Sequence, residues 1–288
     1  MLFANCHLHS TFSDDNKTPE ELVRLGVETG FKAMILTDHD TVSGSYFFQK
    51  AARRAGMLTM IGCEFTGMHP GTQFHIVGVD FNTENKAIRE ILRKGSAHQT
   101  ERTHYLFDYA LSHGTLRDGI TWQDVLDANP DKNYICNNHV FRVMLQKGIY
   151  RKDEYMDFAM TNFSYRLPQS KAIEGDMCTK YISSAEEVIY AIRKAGGVPI
   201  IAHPKNKERY ADDLLKMGAL GFETAHPLVN EECRAFFEQY CDEHNLYQLG
   251  GTDHGSIFGC AADEADLPPE VGNVSEEHFM QLYRRERG

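Results

Sequence analysis

FANCHLHSTFSDD, residues 3–15, begins as an apolar run and ends in two histidines and two aspartates. Successive side chains on a β-strand point to opposite faces, so a strand here places His7 and His9 on one face and turns Leu8 toward the packing side. Asp14 follows five residues after His9. A lone histidine is usually a structural group, whereas a same-face pair near a carboxylate is typical of a divalent metal site. We therefore expect metal ligation where this strand ends.

The segments that follow alternate between helical and strand-like patterns as far as about residue 83. The first helix is predicted with Thr18 as its cap, Pro19 in its first turn and Gly30 as its terminator. After it come the strand-like KAMILTDHD, the helical SGSYFFQKAARRAG and the strand-like MLTMIGCEFT and TQFHIVGVDF. The alternation returns with a capping-box pattern at Ser184 and Glu187. This alternation of helical and strand-like segments predicts an α/β fold, with helices covering a parallel or mixed sheet.

Residues 84–180 break this alternation, because they contain helical stretches and few strands. We therefore predict one discontinuous domain, formed by residues 1–83 and 181–288, and a helical insertion that caps its active site. Inserted modules of this kind often carry substrate contacts.

The composition narrows the class of protein. With 288 residues, 42% of them hydrophobic, the chain is long enough for a sizeable core. A formal charge of −11 disfavours stable binding to a nucleic-acid backbone. The 7 cysteines are scattered without a CxxC pair, as is typical of reduced thiols. No apolar run is as long as a membrane span, which needs about 18 residues. We expect a cytoplasmic globular protein that does not enter membranes, and its oligomeric state stays open.

Further polar residues fall at or near the ends of the predicted strands. They are Asp38, His39, Asp40, Glu64, His75, His203, Asp253 and His254. In α/β barrels the loops at the carboxyl ends of the strands converge on one face, so we expect these groups to meet in one cavity. Each has a simpler alternative: Asp40 fits a helix cap, Glu64 a solvated strand end and His75 a satisfied core histidine.

Six motifs run in order across nearly the whole chain: HLHSTFSD, TDHDTVSG, GCEF, FHIVG, IAHP and GTDHG. They resemble those of the polymerase and histidinol phosphatase (PHP) domain family. HSTFSD, TDHDT and an insertion containing NNHVFRVML look most like the stand-alone phosphoesterases that act on nucleotides and small phosphate esters. The resemblance implies a distorted (β/α)7 barrel with a helical insertion.

The resemblance also implies two to three divalent metal ions and their ligands. The first ion would be held by His7, His9, Glu64 and Asp253, the second by Glu64, His75 and His203, and the third by Asp14, His39 and His254. The family commonly has one residue between the aspartate and histidine of the last motif, whereas Asp253 and His254 are adjacent here. Both can ligate only if the backbone bends, which the glycines around them permit sterically.

Sites of histidine and carboxylate suit zinc, manganese or iron. Two such ions about 3.5–4 Å apart can clamp a phosphoryl group and lower the pKa of a bridging water toward 7, which makes a hydroxide nucleophile available. Glu64 and Asp253 are catalytic in this scheme because they hold these ions, and a third ion would neutralise the remaining phosphate oxygens. The implied reaction is hydrolysis of a phosphate monoester or small cyclic diester of a nucleotide or sugar phosphate. The sequence has no Walker A loop and no GxSxG motif to suggest another mechanism.

Three basic or histidine residues near the predicted site are candidate contacts for the substrate. Lys205 lies two residues past His203, and His139 and Arg142 lie three apart on one helix face. An arginine on the phosphate and a histidine as a catalytic group near the leaving oxygen would fit this chemistry. The alternatives are a solvated loop lysine and a surface pair on a helix.

Two other function classes stay open. The first is a nucleic-acid exonuclease or proofreading module, which needs a basic track that the overall charge does not supply. The second is a non-catalytic scaffold with a vestigial metal site, which predicts missing ligands.

Overall fold

The computed structural model describes residues 2–173, 182–253 and 271–285. The strands are β1 (Ala4–Asn5), β2 (Ala33–Met34), β3 (Gly62–His69), β4 (Thr72–Val79), β5 (Val198–Ile201), β6 (Gly221–Ala225) and β7 (Tyr247–Gly250). The α-helices are α1 (Pro19–Thr29), α2 (Ser45–Arg54), α3 (Lys86–Ser112), α4 (Trp122–Asp127), α5 (Asn137–Gln146), α6 (Tyr155–Asn162), α7 (Ala185–Lys194), α8 (Ala211–Met217), α9 (Glu231–His244) and α10 (Glu276–Tyr283). Short 3₁₀ helices cover Lys152–Glu154 and Glu208–Tyr210, and residues 168–173 are also helical.

The strands group into two sheets in the described part of the chain. β1 pairs with β2 in parallel, through two residue pairs. The larger sheet has the order β3-β4-β5-β6-β7, in which β4 runs antiparallel to both of its neighbours while β5, β6 and β7 are parallel. The predicted α/β class with a mixed sheet is therefore confirmed. None of the helices in the described segments is long and apolar enough to cross a membrane.

The first strand is shorter than the sequence pattern predicts. The pattern extends it through His9, whereas β1 covers only two residues. From Cys6 onward the backbone bonds on two sides: the Cys6 N–H donates to the carbonyl of Gly250 at 2.9 Å and the Asp253 N–H to the carbonyl of His7 at 2.9 Å, while the Leu8 carbonyl accepts the Thr37 N–H at 2.9 Å. The segment after β1 therefore lies against the end of β7, which brings His7 beside Asp253.

Helix boundaries follow the capping signals in the sequence. Thr18 caps α1 in a capping box with Glu21, and Gly30 ends the helix in the left-handed conformation with φ 100°. Ser184 and Glu187 form the same box at the start of α7. These boundaries were predictable because the hydrogen bonds that set them lie within a few residues of sequence.

The long helix α3 joins two parts of the hydrophobic core. Ile88 and Leu92 on its first turns pack in the cluster formed by β3, β4 and α7. Leu106 and Phe107 on its later turns pack in a second cluster, together with side chains of α4, α5 and α6. Helices α3 to α6 all lie within residues 84–180, and the division of the chain into a domain and an insertion stays a prediction.

Gly251 lies where the chain after β1 crosses the end of β7, and this crossing predicts a test. A Cβ atom at residue 251 would stand 2.2 Å from the backbone nitrogen of His7. We expect Gly251→Ala to lower the free energy of unfolding by about 2–3 kcal/mol or more, since backbone must shift to relieve the clash. The measurement is urea unfolding followed by circular dichroism.

Gly71→Ala is the matched control. Gly71 has φ 79° and open space around a new Cβ atom, so we expect only a conformational penalty of about 1 kcal/mol. An equal decrease in the free energy of unfolding for Gly251→Ala and Gly71→Ala would show that the crossing at Gly251 is not tightly packed.

Candidate metal centre and adjoining cavity

The carboxylate of Glu64, on β3, is buried at the centre of a group of imidazoles. Its Oε1 atom lies 2.9 Å from His75 Nδ1 and 2.9 Å from His203 Nε2, and its Oε2 atom lies 3.2 Å from His7 Nε2, 3.3 Å from His9 Nε2 and 3.0 Å from His39 Nδ1. Burial alone would raise the pKa of Glu64, but the imidazoles, with His39 and His7 foremost, hold this pKa well below its ordinary value. The carboxylate is therefore ionised and shared among five histidines.

Backbone pairing places these side chains on one face of the strands. The Asp40 N–H donates to the carbonyl of Glu64 at 2.9 Å, and His39 and Glu64 form an isolated parallel bridge. On β4, His75 stands opposite Thr66, which is two residues from Glu64 on β3. Residues two apart on a strand share a face, so His75 and Glu64 are diagonal neighbours on that face.

Asp253 forms a second carboxylate beside the first. Its Oδ1 atom lies 3.0 Å from His9 Nε2 and 3.5 Å from His7 Nε2. Burial would raise the pKa of Asp253, whereas His7 and His9 hold it well below its ordinary value. Asp253 and His203 both have positive φ, 50° and 26°, and strained backbone of this kind clusters at functional sites.

Asp14 stands at the edge of the group, beside the cavity described below. Its two carboxylate oxygens lie 3.6 Å from His9 Nδ1 and 3.7 Å from His39 Nε2. Burial lowers the pKa of His39 to about 4, so its ring is neutral at pH 7 and retains a lone pair for a metal. His254, the remaining predicted ligand, lies outside the described residues.

The residues present fit divalent cations. Several buried atoms of the predicted ligands lie close to one another but form no hydrogen bond of good geometry in the segments that the structure describes, which is costly for polar atoms. They include His7 Nε2, Asp14 Oδ1, Glu64 Oε2 and His75 Nδ1. Groups of ligand atoms within 4.8 Å of one another are formed by His7, His9 and Asp253, by His7, Glu64 and His203, and by His9, His39 and Glu64. Two ligands of one zinc ion stand about 3–3.5 Å apart, which is the range of many of these contacts.

Glu223, on β6, is a buried residue of the site that the sequence analysis missed. Its Oε1 atom lies 2.7 Å from His7 Nδ1, and its Oε2 atom accepts the backbone N–H of His203 at 2.7 Å. A carboxylate on the far nitrogen of an imidazole holds a proton there, so Nε2 is the nitrogen of His7 that would bind a metal beside Glu64 and Asp253. Glu223 thus orients two predicted ligands from behind.

His226 was missed as well. Its Nδ1 atom accepts the Leu228 N–H at 3.1 Å, so in a neutral ring the proton is on Nε2, which lies 3.3 Å from Asp253 Oδ2. The sequence carries a signal for this residue, because Ala-His-Pro stands at the end of β6, at 225–227, and directly after β5, at 202–204. The repeat marks two histidines at equivalent strand ends.

Helix α5 holds the loop that carries Asp14. Four side chains near its start donate to backbone carbonyls of residues 11–15. The contacts are His139 Nε2 to Thr11 at 3.1 Å, Cys136 Sγ to Ser13 at 3.3 Å, Asn138 Nδ2 to Asp14, and Arg142 Nη2 to Asp15 at 2.9 Å. This set of contacts is called the loop clamp below.

The loop clamp places His139 and Arg142 differently from the role predicted for them. Both ring nitrogens of His139 are occupied, because Nδ1 accepts the Cys136 N–H at 3.1 Å and Nε2 faces Thr11. Burial lowers the pKa of His139 to about 3, so the ring stays neutral at pH 7. In this geometry both side chains bind the loop that carries Asp14 and neither lines the adjoining cavity, so their predicted contact with a substrate phosphate stays a prediction.

A cavity of about 370 Å³ lies beside the group of imidazoles. His39, His75 and Asp14 line it on one side, and α3 together with residues 134–137 and 163–165 lines it on the other. This volume is within the usual range for small-molecule binding sites, about 300–1,000 Å³. Lys205 is not among the lining residues and its side chain is exposed, so its predicted phosphate contact stays a prediction.

Comparison with known proteins points to one family. The profile of the PHP domain matches residues 5–191. The chain is 26% identical to a 5′-3′ exoribonuclease of Haemophilus influenzae, over 86% of this chain and 88% of the relative. It is 25% identical to a 3′,5′-nucleoside bisphosphate phosphatase of Chromobacterium violaceum, over 99% of both chains. It is 21% identical to a phosphoribosyl 1,2-cyclic phosphate 1,2-diphosphodiesterase of Eggerthella lenta, over 90% of this chain and 96% of the relative.

Solved structures share the fold. A candidate metal-dependent phosphoesterase of Bifidobacterium adolescentis superposes with a TM-score of 0.76 at 23% identity, over 98% of this chain and 95% of that chain. An amidohydrolase of Chromobacterium violaceum with bound sulfate superposes with a TM-score of 0.70 at 24% identity, over 97% and 95%.

The contact between Glu223 and His7 predicts a loss of metal affinity on substitution. We expect Glu223→Gln to weaken Zn²⁺ binding about 10- to 100-fold, because the amide no longer enforces the tautomer of His7. Competition with a chromophoric chelator measures the affinity. Glu238→Gln, at an exposed residue of α9, is the control and should bind Zn²⁺ as the unaltered protein does. Unchanged affinity in Glu223→Gln would contradict the orienting role.

The depressed pKa of His139 predicts a pH dependence of stability. The pKa is about 3 in the folded protein and 6.5 ordinarily, so the unfolded chain binds more protons between these values. The free energy of unfolding therefore falls as the pH drops below about 6.5, by up to about 1.4 kcal/mol per pH unit from this group. Between pH 6 and pH 4, we therefore expect the free energy of unfolding of His139→Gln to fall less steeply with pH than that of the unaltered protein, by about 1.4 kcal/mol per pH unit. Urea unfolding at a series of pH values measures this dependence.

His113→Gln, at an exposed histidine within residues 84–180, is the control and should leave the slope unchanged. A slope in His139→Gln equal to that of the unaltered protein would mean that His139 is not held neutral in the folded state.

Proposed function

Because the chain belongs to the PHP domain family, we propose that it is a phosphoesterase for small phosphate esters of a nucleotide or sugar phosphate, either monoesters or cyclic diesters. The chain is a hydrolase that acts on phosphoric ester bonds, the class that the names of the phosphatase and diphosphodiesterase relatives describe. The observation that carries the proposal is the ionised Glu64 carboxylate shared by five imidazoles beside a cavity of about 370 Å³.

The nine predicted ligands are proposed to hold two to three divalent ions of zinc, manganese or iron. They are His7, His9, Asp14, His39, Glu64, His75, His203, Asp253 and His254. A bound divalent ion acts as a Lewis acid on phosphoryl oxygens and makes water a stronger acid. The protein's own contribution is to keep Glu64 and Asp253 ionised and to gather the imidazoles around them.

The distorted (β/α)7 barrel is proposed as the frame of this site. Two sets of hydrogen bonds support it by joining the small sheet to both ends of the large one. At one end the Glu64 N–H donates to Thr37 at 3.1 Å, and at the other the Cys6 N–H donates to Gly250 at 2.9 Å. Residues 84–180 are proposed to cap the barrel, and a cytoplasmic location is proposed from the described cysteines, which are free and buried.

A 5′-3′ exonuclease is the second candidate function, because one surface observation favours it. Phe12, in the loop that carries Asp14, stacks on Phe47 with ring centroids 5.7 Å apart, and Lys132 Nζ lies 5.2 Å from the Phe12 ring. Aromatic and basic side chains together are typical of single-stranded nucleic-acid sites. The formal charge of −11 weighs against this candidate.

A release assay separates these candidates. The purified protein is supplied with Mn²⁺ or Zn²⁺ and offered adenosine 3′,5′-bisphosphate, phosphoribosyl 1,2-cyclic phosphate, histidinol phosphate and a 5′-phosphorylated RNA oligonucleotide. We expect phosphate release or ring opening with at least one small ester, at a kcat/KM at least about a hundredfold above that for RNA. Cleavage of the RNA oligonucleotide alone would favour the exonuclease over the phosphoesterase. Activity on none of the four substrates would overturn both candidate functions.

Glu64→Gln ties the activity to the metal centre. We expect this variant to lose stoichiometric metal, measured by mass spectrometry of the purified protein, and to lose at least about a hundredfold in kcat/KM. Glu187→Gln changes a carboxylate in an exposed capping box and is the control, with metal content and turnover unchanged. Full activity in Glu64→Gln would contradict the proposed role of this carboxylate.

A further inference from the structure

Asn138, on α5, is the member of the loop clamp that binds the backbone of Asp14 itself. Its Nδ2 atom donates to the carbonyl of Asp14, and its Oδ1 atom accepts the hydroxyl of Tyr155, the first residue of α6. The Tyr155 hydroxyl in turn accepts an N–H of Asn137 Nδ2 at 3.0 Å. Three hydrogen bonds thus form a chain from Asn137 through Tyr155 and Asn138 to Asp14, which is called the asparagine–tyrosine chain below.

The groups of the asparagine–tyrosine chain determine the direction of each of its bonds. A backbone carbonyl only accepts, so the Asn138 amide turns its N–H toward Asp14 and its oxygen toward Tyr155. The hydroxyl donates its one proton to that oxygen and accepts from Asn137 with a lone pair. Asn138 and Tyr155 are both buried, where a polar group that loses its partner is costly. The chain therefore favours one arrangement of the loop.

Asp14 depends on its backbone for its position. Its carboxylate oxygens lie 3.6 Å from His9 Nδ1 and 3.7 Å from His39 Nε2, and both distances are longer than the about 2.7–3.2 Å of a hydrogen bond. The side chain is short, so a shift of the backbone carries the carboxylate with it. Because a metal site requires its ligands to be held within about 0.5 Å, the bond at the Asp14 carbonyl bears directly on metal binding.

The earlier part of the same loop has a separate anchor. Asp38, a buried residue shortly after β2, accepts the Ser10 N–H at 2.7 Å, the Ser10 hydroxyl at 2.7 Å and the Ser13 hydroxyl at 2.6 Å. These bonds hold the loop on the side of His9. Loss of the asparagine–tyrosine chain should therefore displace Asp14 and leave His9 in place.

We infer that Asn138 and Tyr155 are positioning residues of the metal centre, which hold Asp14 where it can bind the outer divalent ion. The inference rests on the proposed function, in which Asp14 is a ligand, and gives α5 and α6 a part in metal binding. Asn137 also lines the cavity, so the chain connects the cavity wall with the outer ligand.

The test measures metal binding without substrate. Zn²⁺ is titrated into the chelator-treated protein by isothermal titration calorimetry, and Asp14→Asn identifies the binding step that depends on this carboxylate. Asn138→Ala should weaken that step about 10- to 100-fold, as loss of an orienting partner does, and leave the other steps within about twofold. Tyr155→Phe removes one hydroxyl and should weaken the same step about 3- to 10-fold, the size of one lost hydrogen bond.

A double variant separates positioning from a general effect on the fold. Asn138→Ala combined with Asp14→Asn should bind the remaining ions as Asp14→Asn alone does, because the asparagine–tyrosine chain acts through this carboxylate. A further loss of affinity in the double variant would overturn the inference.

Two buried side chains within residues 84–180 give matched controls. Tyr150→Phe removes a hydroxyl from the hydrophobic cluster that also contains Tyr155, where it accepts the Arg117 N–H at 3.4 Å. Asn129→Ala removes an amide that donates to the Val125 carbonyl at 2.9 Å. Both variants should bind Zn²⁺ as the unaltered protein does, and a loss equal to that of Tyr155→Phe or Asn138→Ala would count against the inference.

Unchanged affinity of the Asp14-dependent step in Asn138→Ala and Tyr155→Phe overturns the inference, and so does equal weakening of all steps. Tyr155→Phe carries the test if Asn138→Ala does not fold, as judged by circular dichroism. If Asp14→Asn binds every ion as the unaltered protein does, the inference is overturned as well, whereas the release assay still decides the proposed function.

Discussion

The structure of the site depends on one buried carboxylate. Glu64 is 1% exposed, and an isolated ion in such a position costs several kcal/mol, which the five surrounding imidazoles offset. Those imidazoles come from widely separated parts of the chain, so their convergence constrains the backbone on both sides. The end of β1, the left-handed turn at His203 and the close crossing at Gly251 all lie next to these imidazoles.

The carboxylates of the site differ in task because they differ in position. Glu64 lies inside the ring of imidazoles, where both of its oxygens face ligand nitrogens. Glu223 lies behind that ring and holds the far nitrogen of His7. Asp14 lies at the mouth, where its oxygens contact His9 and His39 only at 3.6 and 3.7 Å. One type of side chain therefore serves as the shared anion, as the group that orients His7 and, at the mouth, as a proposed outer ligand.

Local signals in the sequence predicted more than long-range ones. The α/β class and the caps of α1 and α7 follow from patterns within a few residues, and strand alternation anticipated that His7 and His9 would be neighbours. The path of the chain after β1 was not predictable, because it depends in part on hydrogen bonds to the end of β7, more than 200 residues away. Helical spacing placed His139 and Arg142 on one face but could not tell that this face meets a loop. Glu223 was missed because it reads as an ordinary residue within a strand.

The loop clamp has an evolutionary consequence. Its donors on and next to α5 bind main-chain oxygens, which every amino acid supplies, so this contact sets no requirement on the side chains of the loop residues. The donor side chains, in contrast, are required by it. Selection on this contact therefore acts on one partner only, and replacement of α5 would remove the support of the Asp14 loop together with the helix.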